Sequence, residues 1–234
     1  MSNLCIIPAR GGSKRIPKKN IIDFFGIPII TYAINTAKST SLSDEIMVST
    51  DSEEIAEVSK KSGANVPFIR SKENATDKSP TIDVLIEVLQ YYSSKGKKFN
   101  YVCCLYPFTP LITTATLHKG FELIKSNDVS SVFPAVPYSH PVQRGFTINE
   151  SSIIDLIDLE LFEKRTQSMK KVFHDAGQFY WFRPEILKKT KSIVNNQSKI
   201  IEMNQLEVHD VDTLEDLEIV KLKYKLLSNG NQLL

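Results

Sequence analysis

The stretch Ile6-Ile7-Pro8-Ala9-Arg10-Gly11-Gly12-Ser13-Lys14-Arg15-Ile16-Pro17-Lys18-Lys19-Asn20 decides how this chain is read. A short apolar strand, Leu4 to Ile7, breaks at Pro8 into a loop. Five cations follow in that loop: Arg10, Lys14, Arg15, Lys18 and Lys19. The adjacent Gly11 and Gly12 open conformations closed to other residues, so backbone N–H groups can converge on an anion. Cations beside free amides suit a triphosphate. A solvated basic loop is the plain alternative, and the glycine pair directly after an N-terminal strand favours phosphate. The loop lacks both G-x-x-x-x-G-K-[ST] and G-x-G-x-x-G, which argues against a P-loop ATPase and a dinucleotide site.

Outward from the loop, the pattern alternates. Pro28 suits a first helical position, and Ile29, Ile30, Ala33, Ile34 and Ala37 recur at helical spacing to about Lys38. Ile46 to Thr50 reads as a strand, with Asp51 as the expected cap of a helix that stops near Gly63. Val66 to Ile69 reads as a short strand, and Thr81 as the cap of a helix bearing Ile82, Leu85, Ile86 and Leu89. Tyr101 to Tyr106 is apolar throughout, as a central parallel strand should be. A helix from about Thr114 to Lys125 and a strand from Ser131 to Ala135 follow. Strand–helix alternation of this kind predicts a three-layer α/β/α, Rossmann-like sheet, mixed but mainly parallel. Ligands then sit beyond the C-terminal strand ends, which puts the glycine loop and Asp51 on one edge.

Length and composition agree with one domain over residues 1–234. A net charge of +2 is too small to argue for nucleic acid. Cys5, Cys103 and Cys104 have no metal-site spacing, and the adjacent pair points to opposite faces of a strand, so three buried free thiols are expected. The N-terminal apolar run stops at Pro8, too early for a signal peptide, and a cytoplasmic protein is the expectation.

Four further stretches carry polar groups where chemistry is expected. The loop from Arg70 to Pro80 is long and polar; Arg70, Asp77 and Ser79 are candidates to read a base and ribose, against a plain surface loop. Residues 137–175 interrupt the crossover pattern, with Phe146–Ile148 and Ile153–Ile157 as a hairpin, and read as an arm between subunits. Within it, Tyr138, Gln143, Arg144, Arg165 and Gln167 are ligand-side candidates, an Arg being able to hold a carboxylate with two prongs. An exposed helical Arg165 is the equal alternative. His174-Asp175-Ala176-Gly177-Gln178-Phe179-Tyr180-Trp181 sets polar groups at the mouth of an aromatic strand, which suits a polyhydroxylated ring as well as it suits a structural turn. Ile200 to Met203 is a further strand. Asp210 and Asp212 lie two apart after it; on a strand they share one face about 7 Å apart and suit a hard divalent cation. Capping of a last helix, Leu214 to Leu227, by Asp212 or Thr213 with Glu215 or Asp216 is the competing use. A frayed polar tail is expected beyond Leu227.

The loop at Pro8 to Ser13 with Lys14, Lys19 and Asn20 resembles the signature of the cytidylyltransferases that activate sialic-acid-like sugars. The likeness runs along nearly the whole chain, and His174 to Trp181 resembles their pseudaminic acid branch. It implies a GT-A-like nucleotidyltransferase that joins CMP from CTP to an acidic nine-carbon sugar and releases pyrophosphate. It further implies Mg²⁺ on Asp210 and Asp212, and a homodimer formed through the insert. By the same resemblance Pro8, Ala9, Arg10, Gly11, Gly12, Ser13, Lys19, Asn20, Arg70, Asp77 and Ser79 bind nucleotide. Arg10, Lys14, Lys19 and Asp212 carry the chemistry. Tyr106, Tyr138, Gln143, Arg144, Arg165, Gln167, His174, Asp175, Gln178 and Tyr180 face the sugar. Tyr106 departs from the glutamine of the N-acetylneuraminate enzymes, which argues against that sugar. N-acetylneuraminate, legionaminate or deoxy-octulosonate activation, or a non-catalytic nucleotide module, are the alternatives.

Overall fold

A computed structural model describes residues 2–230. The N-terminal strand β1 (Asn3–Pro8) lies inside a seven-stranded sheet. A two-residue ribbon, β2 (Asp23–Phe24) with β3 (Ile27–Pro28), precedes α1 (Ile30–Thr40), β4 (Glu45–Ser49), α2 (Glu53–Lys61) and α3 (Thr81–Ser94). Then come β5 (Tyr101–Leu105), α4 (Thr114–Ile124) and β6 (Ser131–Pro137). The excursion β7 (Phe146–Ile148), β8 (Ile154–Leu156) and α5 (Leu159–Phe162) leads back through β9 (Phe173–Asp175) and β10 (Phe179–Phe182). The chain closes with α6 (Pro184–Thr190), β11 (Ser198–Glu202) and α7 (Leu214–Gly230).

The sheet order is β11-β6-β10-β5-β1-β4, with β9 paired to β6. Strands β4, β1, β5, β6 and β11 run one way; β10 and β9 run against them. The sheet is therefore mixed and mainly parallel, as expected. Both faces are covered. Ala33, Ile34, Ile55, Leu117 and Ile124 pack one side with Cys103, and Leu85, Val88 and Leu187 pack the other with Cys104. The neighbouring thiols thus go to opposite faces, and all three cysteines are free and buried. Each large apolar side chain buried this way contributes about 1.5–3 kcal/mol, so the two-sided cover, rather than helix propensity, fixes the layers. Gly120 lets α4 sit on β10: a Cβ there would come within 2.8 Å of Trp181, whose indole N–H donates to Leu117 O at 3.1 Å.

Several local expectations are corrected. Pro28 is not the first helical residue; it pairs with Asp23 in the ribbon, and α1 begins two residues later. Ser52, not Asp51, caps α2, its hydroxyl accepting from Ile55 N. No strand forms at Val66 to Ile69: one bridge joins Asn65 to Met47, and Pro67 offers no N–H to extend a ladder. Thr81 is already inside α3, whose N-cap is Pro80. Asp210 and Asp212 are not on a strand. Their segment's backbone is satisfied by α7 instead: Lys223 Nζ donates to Gln205 O and Val208 O, and the Asp212 and Thr213 amides donate to Asp216. Thr213 and Asp216 form the expected reciprocal cap, Asp216 N donating to Thr213 Oγ1. Three backbone and hydroxyl donors on one carboxylate hold the Asp216 pKa down at about 2. The last helix continues past Leu227 to Gly230; the remaining tail lies outside the described residues.

Candidate active site

The C-terminal ends of β1, β4 and β5 open onto a cleft of about 590 Å³. One wall is the loop after β1. Ala9 N donates to Ser49 O at 2.9 Å, continuing the sheet's pairing one residue beyond Pro8. The buried Asn20 donates from Nδ2 to Arg10 O at 2.9 Å, tying the loop's end to its start. Asp51, freed from capping, accepts from Gly11 N at 2.8 Å. Neither glycine adopts a left-handed φ; that conformation falls on Lys18 (φ 53°). Gly11 suits the loop for another reason: a Cβ would crowd Ser52 Cβ at 3.0 Å. Gly12 meets nothing within 4 Å. Of the five cations, Arg10, Lys14, Arg15 and Lys19 line the cleft, whereas Lys18 pairs with Glu54.

The second wall is residues 70–81. Arg70 is 5% exposed, and its guanidinium donates to the hydroxyl and carbonyl of Ser49. Burial pushes its pKa down, and Asp51 and Glu87 oppose that through space. A buried guanidinium facing a cleft costs several kcal/mol of desolvation unless an anion joins it. Glu87 of α3 anchors the loop by accepting from Ser71 N and Asn74 Nδ2 at 3.0 and 2.9 Å. Ser79 is spent within the loop, on Thr76 Oγ1 and Glu73 O, both at 2.7 Å. Asp77 faces the first wall, in ion pairs with Arg10 and Lys14.

The third side comes from the far end of the chain. Asp210 and Asp212 line the same cleft, and Asp212 meets Arg15 at 2.8 Å and Lys19 at 3.7 Å. Val211 between them is buried in the core with Phe108 and Leu217, which fixes the segment. Gly177 (φ 61°) brings its backbone against Asp210, a Cβ there lying 3.8 Å from the carboxylate carbon. Among the described residues no group of three or more His, Cys, Asp or Glu is assembled to hold a metal. Two carboxylates facing a phosphate-sized, cationic cleft nevertheless fit Mg²⁺, which takes one or two protein carboxylates and fills its octahedron with substrate oxygens and water.

Of the ten sugar-side candidates only Tyr106 lines the cleft; Asp175, Gln178 and Tyr180 pack beside or behind it. Tyr106 carries its hydroxyl 3.2 Å from Thr81 Oγ1, and burial raises its pKa to about 12. Its ring packs edge-on against Tyr180, which donates to Asp175 Oδ2 at 2.5 Å. Asp175 Oδ1 accepts from Gly177 N at 2.8 Å, so this carboxylate shapes the turn beside Asp210. Gln178 is buried, and its amide donates to the carbonyls of Ala176 and His209, linking that turn to the aspartate segment. His174 packs on the exposed Tyr138 ring, centroids 5.0 Å apart. Gln143, Arg144, Arg165 and Gln167 are not brought to the cleft. Gln143 donates to Lys170 O, and Arg144 stacks on Phe162 while donating to its carbonyl. Arg165 and Gln167 sit at an exposed turn, Thr166–Ser168.

Arg15, Asn74, Thr76, Thr81 and Phe108 also line the cleft and were not singled out from sequence. Arg15 had a signal, since it belongs to the same cationic run. Thr81 read as a cap, and only its position opposite Tyr106 shows otherwise.

Residues 4–230 match the cytidylyltransferase family. The chain belongs to that family. The pseudaminic acid cytidylyltransferase of Campylobacter jejuni subsp. jejuni serotype O:2 is 38% identical over 226 residues, 97% of each chain. The CMP-N,N'-diacetyllegionaminic acid synthase of Legionella pneumophila is 32% identical over 216 residues, 91% of this chain and 92% of that one. The fold is that of a CMP:2-keto-3-deoxy-manno-octonic acid synthetase solved with CTP: TM-score 0.71 at 17% identity, covering 98% of this chain and all of the other. No helix among the described residues of this cytidylyltransferase is long and apolar enough to cross a membrane.

Proposed function

We propose that this cytidylyltransferase activates pseudaminic acid with CTP, forming CMP-pseudaminic acid and pyrophosphate. The observation that carries this reading is the meeting of residues from opposite chain ends, Lys19 and Arg15 with Asp212, across one cleft. Arg10, Lys14 and Lys19 would hold the β- and γ-phosphates, with Ser13 and Asn20 ordering the loop around them. The buried Arg70 would face the base and ribose, with Ser79 ordering the loop that frames them. Asp210 and Asp212 would hold Mg²⁺, which supplies positive charge at the phosphate oxygens.

Chemistry then follows from placement. The sugar's anomeric hydroxyl attacks the α-phosphorus and gives its proton to one of the two cleft aspartates, the bond to the pyrophosphate oxygen breaks in line, and the cations of the loop stabilise the charge on the leaving group. Tyr106, backed by Tyr180 and Asp175, borders the side of the cleft where a sugar would enter.

The insert, residues 137–175, is read as a homodimer arm. Phe146, Ile148, Ile153, Ile154, Ile157 and Leu159 are all at least 49% exposed, and Phe146, Ile148 and Ile154 share one face of the ribbon, an apolar surface of the kind that marks a protein interface. Gln143, Arg144, Arg165 and Gln167, remote from their own chain's cleft, would serve the partner's sugar site. Three unpaired buried thiols suit a reducing compartment, the cytoplasm.

Pyrophosphate release from CTP, assayed with a panel of nonulosonic acids with and without Mg²⁺, tests the reading. Release with pseudaminic acid, dependent on Mg²⁺, is expected. Preference for legionaminic or N-acetylneuraminic acid would move the substrate; CTP binding with no release for any sugar would make the chain a nucleotide-binding module.

A further inference from the structure

We infer that Asp77 is an internal stand-in for the triphosphate, a positioning residue that occupies Arg10 and Lys14 until nucleotide displaces it and reclaims them as pyrophosphate leaves. The inference rests on the assignment of Arg10 and Lys14 to the triphosphate.

The geometry is specific. Asp77 Oδ1 takes Arg10 Nη1, and Asp77 Oδ2 takes Lys14 Nζ at 2.5 Å, so one carboxylate engages two cations with separate oxygens. These are two of the cations that line the cleft, and Asp77 lines it with them. The contact spans the opening from one wall to the other, 67 residues apart in sequence for Arg10. Each wall is anchored elsewhere. The glycine loop is tied by Asp51 to Gly11 N, and the 70–80 loop by Glu87 to Ser71 and Asn74. Loss of the Asp77 contact therefore leaves both walls in place and frees only the cations. Lys14 and Arg10 together hold the Asp77 carboxyl below the usual range, so it carries its charge at neutral pH.

Two consequences follow. First, exposed pairs of this kind are weak, and a triphosphate carries several anionic oxygens, so nucleotide wins the exchange at the cost of part of its binding energy. Second, the same carboxylate favours departure of pyrophosphate, because the vacated cations are re-paired without waiting for solvent ions. CMP, which has neither β- nor γ-phosphate, does not compete with Asp77.

Calorimetric titration of wild type and Asp77→Asn with CTP, pyrophosphate and CMP tests this. The variant is expected to bind CTP and pyrophosphate about fivefold more tightly, with CMP affinity unchanged and pyrophosphate a stronger product inhibitor. Asp77→Ser, too short to bridge the walls, should behave alike. If either variant binds CTP more weakly than wild type, Asp77 contacts the nucleotide directly and the competition is overturned. Equal affinities would overturn it as well, as would tightening that includes CMP. Failure of the unchanged protein to bind CTP at all would instead overturn the nucleotide assignment on which this rests.

Discussion

The cleft and the insert meet opposite fates within one chain. In the cleft four loop cations and one loop amide are engaged: Arg10 and Lys14 with Asp77, Arg15 and Lys19 with Asp212, Gly11 N with Asp51. In the insert, the β7–β8 ribbon turns its isoleucines to solvent, Ile148 at 64% and Ile153 at 62% exposure. A lone two-stranded ribbon is marginal in water, and Gln143 Oε1 is buried there without a hydrogen-bond partner among the described residues. The first region pairs its loop cations within a single copy; the second has the composition of a surface that needs another. The cleft's cations find carboxylates of the same chain although most of these pairs are exposed and individually weak, whereas apolar surface can be left open until association covers it.

Three substitutions sharpen or break this contrast. The largest effect is expected from Asp212→Ala, which removes a cleft carboxylate that no neighbour replaces. Turnover should fall about a thousandfold, with the thermal unfolding midpoint little changed and CTP still bound in the absence of Mg²⁺. A variant that kept most of its rate would remove Asp212 from the chemistry.

Next is Ile148→Asp. The side chain makes no core contact to lose, so the fold should persist while sedimentation shifts from dimer to monomer. If the insert serves the partner's sugar site, the rate at low sugar should drop about tenfold with CTP affinity unchanged. A dimer that survives the charge, or a monomer with full activity, would separate the insert from catalysis.

The smallest effect concerns the scaffold under the cleft. Asp216 stays ionised in the folded chain down to about pH 2 but protonates near about pH 3.9 when unfolded. Its lowered pKa therefore contributes stability that is full above about pH 4 and is lost as the pH falls through about 2. Asp216→Asn should unfold at a lower temperature than wild type at pH 7, and the gap should narrow steadily in acid below pH ~4. A gap independent of pH would mean the amide fails for steric reasons instead.

Much of this was legible in the sequence, and the losses have causes. Strand and helix order followed from periodicity, because buried parallel strands such as Tyr101–Leu105 are apolar throughout. The cationic loop and the distant Asp210-x-Asp212 were both recognisable as site residues. That they share a cleft is what the family resemblance implies; strand-end topology by itself brings only the glycine loop and Asp51 to one edge. What failed was local competition between neighbours of equal chemistry. Asp51 and Ser52 can both cap α2, and the structure gives the cap to Ser52 so that Asp51 can hold Gly11. The strand expected at Asp210 and Asp212 was lost to side chains of α7, which satisfy the backbone from outside any sheet. Arg15 reads as one of five loop cations and Thr81 as a cap; their place in the cleft is not legible because their partners, Asp212 and Tyr106, are far away in sequence.

A crystal structure of the chain with CTP and Mg²⁺ tests the central claim most directly. The account predicts one nucleotide whose triphosphate lies between the Arg10–Lys19 loop and Asp210 and Asp212, with density for a cation on the two carboxylates. A triphosphate bound elsewhere, or one gripped by the loop with both aspartates turned away and no cation between, would contradict it.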